Sequence, residues 1–122
     1  MLVRIPAAGL GTYPDLAVVC GEPQFEDDAE DTLLNPTLII EVLSPSTEDY
    51  DHGKKLAHYR SLPSLEVYLL VAQDEVHVEL FERQSDNRWV LSETRDLEET
   101  LDLPVIGATL ALADVYDRVP GI

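Results

Sequence analysis

The chain has 122 residues, 45% hydrophobic and 26% charged, enough for one domain with a real core, and no run of about 18 or more apolar residues that would read as a membrane span. It carries 24 acidic residues against 8 lysines and arginines, a net charge of −16. That sign argues against tight capture of phosphate backbones, suits divalent cations, and also fits a plain acidic, solvated surface.

The start, "MLVRIPAAGLGTYPD", lacks the long apolar stretch of a signal peptide. "LAVVC" (residues 16–20) precedes Gly21 and Pro23 and reads as a buried strand. Its Cys20 reads as a small core residue; as the single cysteine it cannot form an internal disulfide, and it fits a reducing cytoplasm. Residues 22–31, "EPQFEDDAED", hold six acids and read as a solvated loop. "TLIIEVL" (37–43) is a second strand, stopped by Pro45.

The one convincing longer helix spans 48–60, capped by Ser46 or Thr47, with early acids and Arg60 late. Leu56 and Tyr59 give it an apolar stripe. "LEVYLLVA" (65–72) is a third strand. "VHVELFER" (76–83) alternates, with Val76, Val78 and Leu80 on one face and the other face wet. "QSDNR" is turn chemistry, and "WVLSETR" (89–95) completes a hairpin. "TLDLPVIGATLAL" forms two short extended pieces around Gly107, and 112–119 a short terminal helix. The whole of 1–122 reads as a single α/β (α+β) domain.

Several chemistries drop out. There is no Gly-rich phosphate loop and no G-x-S-x-G elbow. His52, His58 and His77 have no metal-pair spacing and Cys20 has no cysteine partner, which argues against zinc.

What remains is acidic. Glu41 interrupts an apolar strand, and a buried carboxylate costs several kcal/mol (~2–5) unless it is paired. It either faces solvent at a strand end or has a metal, a lysine or an arginine as partner. Asp15 precedes the first strand, and adjacent strands can bring it to Glu41 at one edge. Two nearby carboxylates suit Mg²⁺ or Mn²⁺ between them. Lys55 either reaches back to that point or pairs with Asp51 at i, i+4.

"PDLAVV", "NPTLIIEVLSPSTEDYDHGKKLAHYRSLPSLEVYLLV", "VELFER", "WVL" and "LADVY" resemble the Uma two family of bacterial endonucleases, part of the PD-(D/E)XK nuclease superfamily. The resemblance covers nearly the whole chain. It implies a restriction-endonuclease-like mixed β-sheet with flanking helices. The Pro-Asp element falls on Pro14 and Asp15, and the second acid on Glu41. Leu43 occupies the place of the lysine expected two residues later, and a helical lysine substitutes: Lys55, with Lys54 as the lesser choice.

The resemblance implies Asp15, Glu41 and the Val42 carbonyl as ligands of Mg²⁺ or Mn²⁺, and Lys55 as catalytic. Asp51 and Tyr59, four residues either side of Lys55, support it or serve as a salt bridge and a core tyrosine. The implied partner is DNA, bound weakly given the acidic charge. Family members carry several dozen more residues before the Pro-Asp element, where this chain has 13, so N-terminal elements are expected to be missing. A sheet face or edge left uncovered then predicts a homodimer or larger oligomer. The competing expectation is a catalytically weak or inactive member that acts as a homo-oligomeric or partner-binding module.

Overall fold

The computed structural model describes residues 2–6, 9–26, 32–43 and 54–119. Apolar β-branched runs build its centre, a five-stranded sheet in the order β3-β5-β6-β7-β8. These strands are β3 (Leu16–Val18), β5 (Leu38–Leu43), β6 (Val67–Ala72), β7 (Val78–Arg83) and β8 (Trp89–Thr94). Strands β5 and β6 pair in parallel and their other neighbours are antiparallel, so the chain between β5 and β6 is a crossover. Its described part is a wide turn at 54–55 leading into α1 (Leu56–Tyr59).

Both faces of this sheet are covered, which is why β5 and β6 are nearly continuous apolar runs. Ile39, Leu43, Tyr68, Leu70 and Phe81 face one layer, packed with Val3, Ile5, Leu33, Tyr59 and Leu62. Val3 and Ile5 belong to β1 (Leu2–Ile5), which pairs with β2 (Leu10–Thr12) and, in parallel, with β4 (Thr32–Leu33). Leu38, Val67, Leu69, Val71, Val78 and Leu80 face the second layer. That layer is the hairpin of β9 (Thr100–Leu103) and β10 (Ala108–Ala111) with the helix α2 (Leu112–Val115). Gly107 turns that hairpin at φ 65°, a left-handed conformation that glycine adopts without steric cost.

The mixed sheet, the 76–95 hairpin and the pieces around Gly107 are where the sequence placed them. Asn87, at φ 68°, supplies the left-handed residue of the β7–β8 turn. Two readings are corrected. Cys20 is exposed, because β3 is an edge strand that ends before it. Strand β7 has no wet face near its start: Glu79 is buried, on the side of the sheet that also carries Leu70 and Phe81. Strands β1, β2 and β4 were not anticipated from the sequence. The predicted helix start at 48–53, with the caps Ser46 and Thr47 and with Asp51, lies outside the described residues. No helix among the described residues is long and apolar enough to cross a membrane.

Candidate active site

Period-two alternation along β5 puts Glu41 between Ile39 and Leu43, on the face that looks at β1 and α1. Its side chain is only 3% exposed. Three donors from two elements meet it. The Lys55 ammonium donates to Oε1 at 3.0 Å, and the Tyr59 hydroxyl donates to the same oxygen at 3.2 Å. The Tyr68 hydroxyl donates to Oε2 at 2.9 Å.

The local structure explains each placement. Lys55 and Tyr59 are four residues apart, one helical turn, and so share a face. Tyr68 stands on β6, two residues before Leu70, the register partner of Glu41, so it is a diagonal neighbour on the same face. The Tyr59 and Tyr68 rings pack at 5.0 Å, and Tyr68 packs on Phe81 at 6.1 Å. Both tyrosines are fully buried. Thr12 Oγ1 lies 2.7 Å from the Tyr59 hydroxyl. A phenol has one proton, and Tyr59 gives it to Glu41, so Thr12 is the donor in that pair. The chain Thr12–Tyr59–Glu41 thus ties β2 to β5.

Asp15 reaches the same strand from its edge. The β3–β5 ladder begins at the Leu16–Ile40 pair. Beyond it Pro14 has no N–H to contribute, and the Asp15 carboxylate takes over, with Oδ2 accepting the Val42 N–H at 2.7 Å. The N–H and C=O of one strand residue point to the same edge, so the Val42 carbonyl also faces the Asp15 side. Asp15 is exposed and Glu41 buried.

The structure therefore brings together Lys55, Tyr59 and Glu41, and sets Asp15 on the amide that follows Glu41. Lys54 is exposed. Asp51 lies outside the described residues. Of the alternatives the sequence left for Glu41, a lysine partner is realised. Tyr68 and Thr12 went unread in the sequence. Tyr68 sits inside an apolar run whose only signal is that β6 must neighbour β5.

The groups at this edge that could hold a metal ion, the Asp15 and Glu41 carboxylates and the Val42 carbonyl, all offer oxygen, the donor type of hard divalent cations. The Lys55 ammonium already lies against Glu41 as a cation, so the site is one that holds positive charge.

The fold is shared with a solved structure from Anabaena variabilis ATCC 29413, described as "a putative nuclease belonging to DUF820". The TM-score is 0.67 at 19% identity, covering 87% of this chain and 60% of that one. The chain belongs to the Uma2 family, described as "Putative restriction endonuclease", whose sequence model matches residues 1–113. Two relatives come from Synechocystis sp. (strain ATCC 27184 / PCC 6803 / Kazusa). "Uncharacterized protein sll1609" is 41% identical over 81 residues, 66% of this chain and 46% of that protein. "Uncharacterized protein slr1290" is 35% identical over 105 residues, 86% of this chain and 54% of that protein. The chain thus spans about half the length of the curated relatives it matches.

Proposed function

We propose that this chain is a metal-dependent endonuclease domain that hydrolyses DNA phosphodiester bonds, with Asp15, Glu41 and Lys55 as its catalytic residues. The observation that carries the reading is the contact of Lys55 with the buried Glu41 beside the Asp15–Val42 hydrogen bond. It joins an acid–acid–lysine set from three separate segments, in a family described as "Putative restriction endonuclease".

Asp15, Glu41 and the Val42 carbonyl would hold Mg²⁺ or Mn²⁺. A bound cation supplies polarisation of a phosphodiester oxygen and a more acidic water. Tyr59 and Tyr68 fix the Glu41 carboxylate by donating to its two oxygens, and Thr12 fixes Tyr59. Lys55 keeps a positive charge where a phosphate would gain negative charge, and orients the attacking water.

The net charge of −16 favours a second reading, a weak or inactive member that serves as a homo-oligomeric or partner-binding module. Self-association fits either reading, since Tyr13, Leu16 and Val42 leave apolar surface exposed beside the site. Light scattering across a concentration series tests it, and a constant monomer mass contradicts it.

The deciding experiment is DNA cleavage at low salt, on single- and double-stranded substrates, with Mg²⁺ or Mn²⁺ and then with chelator. Cleavage is expected to need the metal. It should fall at least about a hundredfold in Lys55→Ala and stay near wild type in Lys54→Ala. Equal activity in wild type and Lys55→Ala, or activity that survives the chelator, overturns the catalytic assignment.

A further inference from the structure

A second cluster of ligating side chains stands on the same face of the central sheet, toward its other edge. Strand β7 places Glu79 directly opposite Glu93 of β8. His77, which enters β7, shares the side of Glu79 because the two are two residues apart. One ligand atom from each of His77, Glu79 and Glu93 lies within 4.8 Å of the others. His77 and Glu79 are each 7% exposed. We propose that His77, Glu79 and Glu93 form a second cation site, specific for a transition-metal dication of the zinc type, that fastens the edge strand β8 to β7.

Charge is the first argument. Two carboxylates directly opposed across a strand pair repel and destabilise the pairing. A third, Glu75, lies 3.8 Å from His77 Nδ1, and Glu93 Oε1 lies 3.1 Å from Nε2. A dication held between Glu79 and Glu93 relieves the repulsion of that opposed pair.

Pre-organisation of the His77 backbone is the second argument. The Tyr116 hydroxyl accepts the His77 N–H at 3.1 Å and lies 3.0 Å from the His77 carbonyl and 2.9 Å from that of Ala72. The backbone that carries the imidazole is therefore anchored to the end of α2 before any ion arrives.

Donor chemistry sets the metal class. One nitrogen and two carboxylate oxygens suit Zn²⁺ or Co²⁺, while Mg²⁺ selects all-oxygen sites that keep several waters. The histidine spacing and the lone Cys20 spoke against zinc in the sequence. Spacing along the chain does not reveal a site assembled across a hairpin. This site is separate from that of Glu41, because Leu70 stands between Glu41 and Glu79 in register.

The test is titration of the purified chain with Co²⁺, read by its visible absorption, with Zn²⁺ displacement as a second readout. With Mg²⁺ in large excess to fill the Asp15–Glu41 site, wild type should bind one Co²⁺ that Zn²⁺ displaces. Glu93→Gln, on the exposed strand β8 and so compatible with folding, should weaken binding about tenfold or more. His77→Ala should abolish it, with circular dichroism as the check on folding. No Co²⁺ band in wild type overturns the proposal. So does a band that survives Glu93→Gln at full affinity, or one seen only when Mg²⁺ is left out.

Discussion

The two faces of the central sheet are built from the same strands and differ in what they carry. On the face toward β9, β10 and α2, Leu38, Val67, Leu69, Val71, Val78 and Leu80 pack against an apolar layer. On the face toward β1 and α1, the same strands present Glu41, Tyr68 and Glu79 among Ile39, Leu70 and Phe81. A period of two separates the roles residue by residue. One face holds the domain together, and the other spends part of its burial on polar groups that need partners. The polar face should therefore lose function on substitution, and the apolar face should lose stability.

The largest expected effect is at the centre of the polar face. Glu41→Ala should abolish metal-dependent DNA cleavage while also leaving Lys55, Tyr59 and Tyr68 without their shared acceptor; a cleavage assay on the folded variant checks it. Next comes the apolar face. Leu69 is fully buried there, and Leu69→Ala should cost about 2–5 kcal/mol in urea unfolding. Its cleavage per folded molecule should match wild type, and a selective loss of cleavage would blur the division between faces.

Tyr68→Phe sharpens the comparison, since it keeps the ring contacts and deletes one hydroxyl. It should cost about 1–3 kcal/mol, the penalty for a buried acceptor losing its donor, and lower cleavage about tenfold through a looser Glu41.

The smallest effect concerns pH. Burial pushes the Tyr116 hydroxyl above its ordinary value, the hydrogen bond to the His77 backbone opposes this, and Glu75 and Asp74 add to the rise. The folded state thus holds the proton to higher pH than the unfolded chain does. The contribution is fully present below the usual tyrosine pKa of about 10 and is lost as pH rises from there through the folded value. Unfolding titrations above that pH should be flatter in Tyr116→Phe than in wild type.

The apolar strands were legible because burial on both faces leaves continuous runs such as "TLIIEVL" and "LEVYLLVA". The acid in the first run was legible as an anomaly, and the Uma two resemblance pointed to Asp15 and Lys55. What escaped depends on coverage and on long-range pairing. The segment of β1, "LVRI", is short and broken by an arginine, and its parallel partner β4 lies far along the chain. Cys20 follows an apolar run, yet that run is an edge strand whose Leu16 is half exposed. Glu79 looks like the wet half of an alternating strand, but alternation says which residues share a side and not what covers it. Tyr68 and the His77–Glu79–Glu93 group become visible only once strands are set in register.

The central claim is that Asp15 and Glu41 share a catalytic cation, and the most direct measurement is anomalous diffraction from a crystal soaked in Mn²⁺. The account predicts a peak with an Asp15 oxygen and a Glu41 oxygen each within about 2.0–2.6 Å, and Lys55 drawn off the oxygen it now holds. A soaked crystal with no peak between these two carboxylates, and with Lys55 still paired to Glu41, contradicts it.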